Sequence, residues 1–178
     1  TPLLPHQQQG LVWMLHHENT SGHGGLVLDD AGMGKTLMLA WYVLVQNVAQ
    51  VQYMLATDAQ LTPKPSLIVV PPNLVKTWRD QFHQHFDMHQ IECDMGVQLL
   101  CCAQDIPLEA IDSLADSNVN ESLLAHHPWL VIVVISDTRL ARTIVDRKNR
   151  IRSKIMIVDE AHHMQNLNSR RFKSCARV

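Results

Sequence analysis

The sequence predicts an α/β fold: a mostly parallel sheet with helices on both faces. Short apolar runs recur without the polar alternation of a half-exposed strand, which is how strands buried on both faces read. Longer segments with helical spacing lie between these runs, and strands that alternate with helices form parallel sheets. Polar motifs fall at the carboxyl ends of the runs, where open α/β sheets bind ligands. At 178 residues the chain has the size of one ordinary domain.

Leu4, Leu11, Trp13, Met14 and Leu15 recur near a period of 3.6, and Pro5 suits a first helical turn, so residues 5–17 read as an amphipathic helix. Residues 19–25 are a loop by composition. Leu26 to Leu28 reads as a short first strand, and Leu37 to about Met54 as a long apolar helix. Ser66 to Val70 is a buried-type second strand, with Asn73 as the expected cap of a helix through Trp78 and Phe82. Val97 to Cys102 is a third strand, and residues 105–125 are expected to hold a helix and a loop. Trp129 to Ile135 is the strongest strand, followed by a helix from Thr138 to about Arg147. Lys154 to Val158 completes five expected strands and ends on Asp159 and Glu160.

Composition excludes several classes. Apolar residues make up 46% and charged residues 18%, enough for a packed core and unlike a disordered chain. The longest apolar run, Leu37 to Val45, is nine residues, against about 20 for a membrane span. The expectation is a soluble chain with no membrane partner. Cys93, Cys101, Cys102 and Cys175 do not form a disulfide framework, which fits reduced thiols in an intracellular compartment. His83, His85, His89 and Cys93 are spaced for zinc only if their segment stays helical; without a Cys-x-x-Cys, a hydrated loop is the expected reading.

The net charge of −2 conceals a split. Residues 1–138 carry 4 basic against 14 acidic residues, and residues 139–178 carry 11 against 3. Arg147, Lys148 and Arg150 belong to the densest basic stretch. It reads either as a solvated helix end or as a contact surface for a phosphate backbone.

Gly32-Met33-Gly34-Lys35-Thr36 follows an apolar run and opens a helix, the context of a phosphate-binding loop. Backbone N–H groups and the positive helix end suit phosphates, glycines allow close approach, Lys35 suits the β/γ-phosphates, and the Thr36 hydroxyl suits Mg²⁺. The generic pattern places Gly where this chain has Asp29. Asp159 and Glu160 end an apolar strand; the first suits holding hydrated Mg²⁺ and the second orienting an attacking water. The expected ligand is therefore a nucleotide with Mg²⁺.

Taken together, residues 4–14, residues 24–37 from Gly24 to Leu37, the segment Ser66 to Trp78 and the run Ile157-Val158-Asp159-Glu160-Ala161-His162 resemble the ordered motifs of Swi/Snf-type helicase-like ATPases of helicase superfamily two. Trp13-Met14 followed by a short loop and Gly24-Gly25 resembles the subgroup containing fungal repair and silencing translocases with RING-type insertions. The resemblance spans residue 3 to about 169. It implies a RecA-like three-layer sandwich, with residues 1–178 as the N-terminal ATP-binding lobe and a second lobe expected outside them.

The resemblance also implies roles. Gln7 would contact the adenine edge, and Asp29, Asp30, Ala31, Gly32, Met33, Gly34, Lys35 and Thr36 would form the nucleotide loop, Asp29 being normal for the family. Asp159 and Glu160 of the DEAH-type box would be the Mg²⁺-holding and water-activating acids, and His162 would link the site to the second lobe. Val134 to Thr138 departs from the Thr-Thr-Tyr-like segment that usually touches DNA, and His163-Met164-Gln165 from the commoner Arg-hydrophobic-Lys. Family members use ATP to move along duplex DNA or nucleosomes in chromatin remodelling or DNA repair, which implies a nuclear location. The competing expectation is a non-catalytic remnant that at most binds nucleotide.

Overall fold

A computed structural model of the chain describes residues 1–20, 24–30, 32–57, 64–102, 130–145 and 153–176. Its centre is a four-stranded parallel sheet of β1 (Ser66–Val70), β2 (Val97–Cys102), β3 (Leu130–Ser136) and β4 (Ile155–Val158), in the order β2-β3-β1-β4. Ile68 in the central strand pairs with Val134 on one side and Ile157 on the other.

Side chains alternate between the two faces of a strand, and here both faces are covered. Ile68 and Val70 join Ile132, Val134 and Ile157 under α2 (Lys35–Thr57) and α3 (Val75–His85), where Val43, Leu44, Trp78 and Phe82 are buried. Leu67 and Val69 join Val133 and Ile135 against Leu140 of α5 (Asp137–Val145), Met164 and Cys175. This is the expected three-layer arrangement, with helices on each side of a parallel sheet.

The remaining helices are α1 (Pro5–Thr20), α4 (Met88–Met95) and α6 (Arg170–Cys175). α1 lies against α2 with Gly10 over Met38, close enough that a Cβ there would collide with the Met38 sulfur. At the amino end of the sheet, Tyr42 donates to Glu18 Oε2 at 2.5 Å and Gln46 donates to the same oxygen. Lys154 Nζ, just before β4, donates to the Gln46 carbonyl at 3.0 Å. Burial pulls the Lys154 ammonium below its ordinary pKa, with Glu18 opposing, and pushes the Tyr42 phenol up, with its hydrogen bond to Glu18 adding to the rise.

The structure corrects several expectations. Leu26 to Leu28 is not in the sheet: among the described residues no ladder pairs it, and Leu26 and Leu28 are 75% and 83% exposed. An apolar run becomes a strand only where another strand offers it a ladder, and β4 pairs only with β1 among the described residues. Asn73 does not cap α3. Pro72–Leu74 forms a 3₁₀ turn, and Leu74 occupies the cap position without a side-chain bond. The histidine-rich segment is helical rather than a loop. His83 and His85 end α3, and α4 carries His89 and Cys93 after Asp87 caps it by accepting from the Gln90 N–H at 3.0 Å. The expected helix and loop within residues 105–125 lie outside the described residues. No helix of the described residues is long and apolar enough to cross a membrane.

Candidate functional site

The loop before α2 is shaped by its glycines. Gly32 and Gly34 have φ of 84° and 75°, the left-handed region that strains any residue with a Cβ. α2 then begins at Lys35, with Met38 N–H donating to the Gly34 carbonyl at 3.1 Å. The N–H groups of a first helical turn have no partner within the helix, and the macrodipole makes that end positive. Lys35 Nζ folds back into the loop and donates to the carbonyls of Asp29 and Asp30 at 2.6 and 2.8 Å. Ala31, expected in this loop, lies outside the described residues.

The loop is held from α1. Gln7, only 5% exposed, donates from Nε2 to the Met33 carbonyl at 3.1 Å and accepts the Leu4 N–H on Oε1 at 2.9 Å. His6 Nε2 lies 3.2 Å from the same Met33 oxygen. A Cβ on Gly34 would run into the Gln7 amide. Gln7 therefore shapes the loop whatever else it touches.

The acidic pair stands at the carboxyl end of β4. Asp159 N–H donates to the Val69 carbonyl at 2.9 Å, which carries the β1–β4 pairing one residue further. Both oxygens of its carboxylate are engaged: Oδ1 accepts from the Glu160 N–H at 2.9 Å, and Oδ2 from the Trp78 indole N–H at 2.8 Å. Glu160, at φ 51°, is the one non-glycine residue with positive φ among the described residues. Backbone strain of this kind concentrates at functional positions. Its carboxylate meets His162 Nδ1 at 3.1 Å, and the His162 ring lies 4.2 Å from that of His163.

In chemical type the oxygens of Asp159 and Thr36 fit Mg²⁺. The Asp159 carboxylate and the Thr36 hydroxyl are hard donors, and the two N–H groups on Asp159 are neutral, so they orient it without cancelling its charge. Among the described residues no three His, Cys, Asp or Glu side chains group to hold a metal. Mg²⁺ usually takes one or two protein ligands and completes its shell with phosphate oxygens and water.

The structure thus gathers Gln7, Met33, Gly34 and Lys35 into one cluster and Asp159, Glu160 and His162 into another. Arg147, Lys148 and Arg150 lie outside the described residues. Two features escaped the sequence reading. Trp78 reads there as part of the helix after the Ser66 to Val70 strand and as the end of the family-like segment Ser66 to Trp78, with no sign of a tie to Asp159. Asp137, 3% exposed, pairs through Oδ2 with Arg171 Nε at 3.3 Å and ties α5 to α6; an acid in a helix's first turn carries no sign of such a partner.

The family model described as SNF2-related domain matches residues 6–178. The DNA repair and recombination protein RAD54B of Gallus gallus is 29% identical over 171 residues, covering 92% of this chain and 16% of that protein. The ATP-dependent helicase ULS1 of Saccharomyces cerevisiae is 38% identical over 80 residues, 44% of this chain and 4% of its own length. The TATA-binding protein-associated factor MOT1 of the same yeast is 23% identical over 182 residues, 99% of this chain and 8% of its own. The chain thus spans less than a fifth of each of these relatives.

Proposed function

The chain belongs to the SNF2-related domain family, and from that premise we propose that it is the ATP-binding lobe of a Swi/Snf-type DNA translocase working in repair or chromatin. The observation that carries this reading is the loop: two left-handed glycines at the start of α2, with the Lys35 ammonium already drawn inside.

In this reading the phosphates of ATP lie on the first N–H groups of α2. Lys35 exchanges two neutral carbonyls for phosphate oxygens, and charge-assisted hydrogen bonds are roughly twice as strong as neutral ones. Thr36 and Asp159 hold Mg²⁺, which when bound neutralises phosphate charge. Glu160 orients the attacking water, and His162, hydrogen-bonded to Glu160, couples it to a second lobe. Gln7 keeps one amide N–H and one oxygen lone pair beyond its bonds to Met33 and Leu4, a pair that matches the adenine edge. Duplex DNA is the proposed track, with the basic stretch around Arg147, Lys148 and Arg150 against its phosphates.

Calorimetry with Mg-ADP tests the site. Lys35→Ala removes a charge-assisted contact of about 1.5–3 kcal/mol, so affinity should fall about ten- to a hundredfold. Equal affinity for variant and parent would overturn the phosphate-loop assignment.

A further inference from the structure

We infer that Trp78 is a positioning residue for the Asp159 carboxylate, setting the orientation in which that acid meets Mg-nucleotide; the inference rests on the nucleotide site proposed above. The two residues are 81 positions apart, and the indole N–H reaches Asp159 Oδ2 at 2.8 Å. The donor is rigid. Trp78 is 1% exposed, its ring centroid lies 6.4 Å from that of Phe82, and it shares a buried cluster with Ala40, Val43 and Leu44 of α2. The indole thus belongs to the core packed under α2 and donates to the residue that follows β4.

The chemistry of the donor matters as much as its position. A lysine or arginine here would orient the carboxylate and also compete with a cation for its charge. An indole N–H donates one hydrogen bond, accepts none and carries no charge. With the Glu160 N–H on Oδ1, it holds one lone pair of each oxygen and leaves the others for a hydrated cation. A buried tryptophan usually finds some acceptor, so the bond alone does not establish a role. Trp41 gives the contrast: its indole N–H is buried with no hydrogen-bond partner among the described residues. Groups behind a metal ligand typically carry about ten- to a hundredfold in metal affinity or activity.

Two measurements on the chain decide it. In ¹⁵N-tryptophan spectra, Trp78→Phe identifies the Trp78 indole signal among the four tryptophans. Asp159→Asn should move that signal in nucleotide-free protein, and adding Mg²⁺ to the ADP complex should move it again. Calorimetry then compares ADP affinity with Mg²⁺ and with chelator. Trp78→Phe, which keeps a ring in the core, should lose about tenfold of the Mg²⁺-dependent gain and leave affinity in chelator unchanged. In an Asp159→Asn background it should cost nothing further. A Trp78 signal indifferent to Asp159→Asn, or an undiminished Mg²⁺ gain in Trp78→Phe, overturns the inference while the phosphate site stands. If Trp78→Phe does not fold, selective labelling with Asp159→Asn still decides, since only the indole facing residue 159 should respond. Parent protein that binds no Mg-ADP overturns the nucleotide site and this inference with it.

Discussion

Asp159 and Lys35 are proposed to serve one nucleotide, yet the molecule holds them by opposite means. Around Asp159 the support is core: a strand paired to the central β1, a backbone bond to Val69, and an indole 1% exposed. Around Lys35 the support is a set of polar contacts near the surface, from its own loop carbonyls and from Gln7 and His6 of α1. The run leading into that loop leaves Leu26 and Leu28 outside the sheet. The contrast teaches that the acid is fixed by packing, whereas the loop takes its shape from glycine conformation and a few hydrogen bonds. That division suits a site in which Lys35 must leave two carbonyls to reach a ligand.

The sharpest way to break this comparison is to cut each side. Phe82→Ala removes a fully buried ring beneath Trp78 and should cost about 3–5 kcal/mol in urea unfolding. Leu28→Ser, at an 83% exposed position, should stay within about 0.5 kcal/mol. Comparable losses would mean that the run before the loop is packed after all.

A smaller effect is expected at Gly34. Alanine there must adopt a φ of 75°, a strain of about 1–2 kcal/mol, and its Cβ displaces the Gln7 amide. Gly34→Ala should lower the unfolding free energy by that amount and also weaken Mg-ADP. Unchanged stability would show that the loop is not held in this conformation.

The smallest effect lies at the opposite end of the sheet, where Glu18, Tyr42, Gln46 and Lys154 tie α1 down. Lys154 titrates below its ordinary 10.5 when folded. Between those two values the unfolded chain binds more protons, so stability rises with pH there. Tyr42 is shifted above its ordinary 10.0. Above that pH the folded chain binds more protons, so stability falls. Urea unfolding across pH 8–11 should show the rise abolished in Lys154→Met and the fall abolished in Tyr42→Phe. Identical profiles in parent and variants would remove this network from the anchoring of α1.

Much of the sheet was legible in the sequence because β1 and β2 are short, mostly apolar segments, and the structure starts and ends them at the residues expected. Leu26 to Leu28 has the same composition and stays unpaired, since composition records the tendency to be buried and not the presence of a partner. Asn73 has the right chemistry for a cap, but the 3₁₀ turn moves the start of α3 past it. The places of the loop glycines before α2 and of the acidic pair after β4 were legible because they depend on near neighbours in the chain. A phosphate loop needs particular residues at fixed spacing, and a strand end presents its next residues together.

What the sequence by itself determined is therefore what depends on near neighbours: parallel strands, the glycine-bent loop opening a helix, and the acids at the end of β4. Only the tertiary structure decided which distant groups meet. Gln7 reaches Met33 across 26 positions, Asp137 takes Arg171, and Trp78 finds Asp159 across 81. Hydrophobic periodicity places a side chain on the buried face of an element. The acceptor that a buried N–H then finds depends on how the faces of different elements are brought into contact, and that is set by the packing of the whole core.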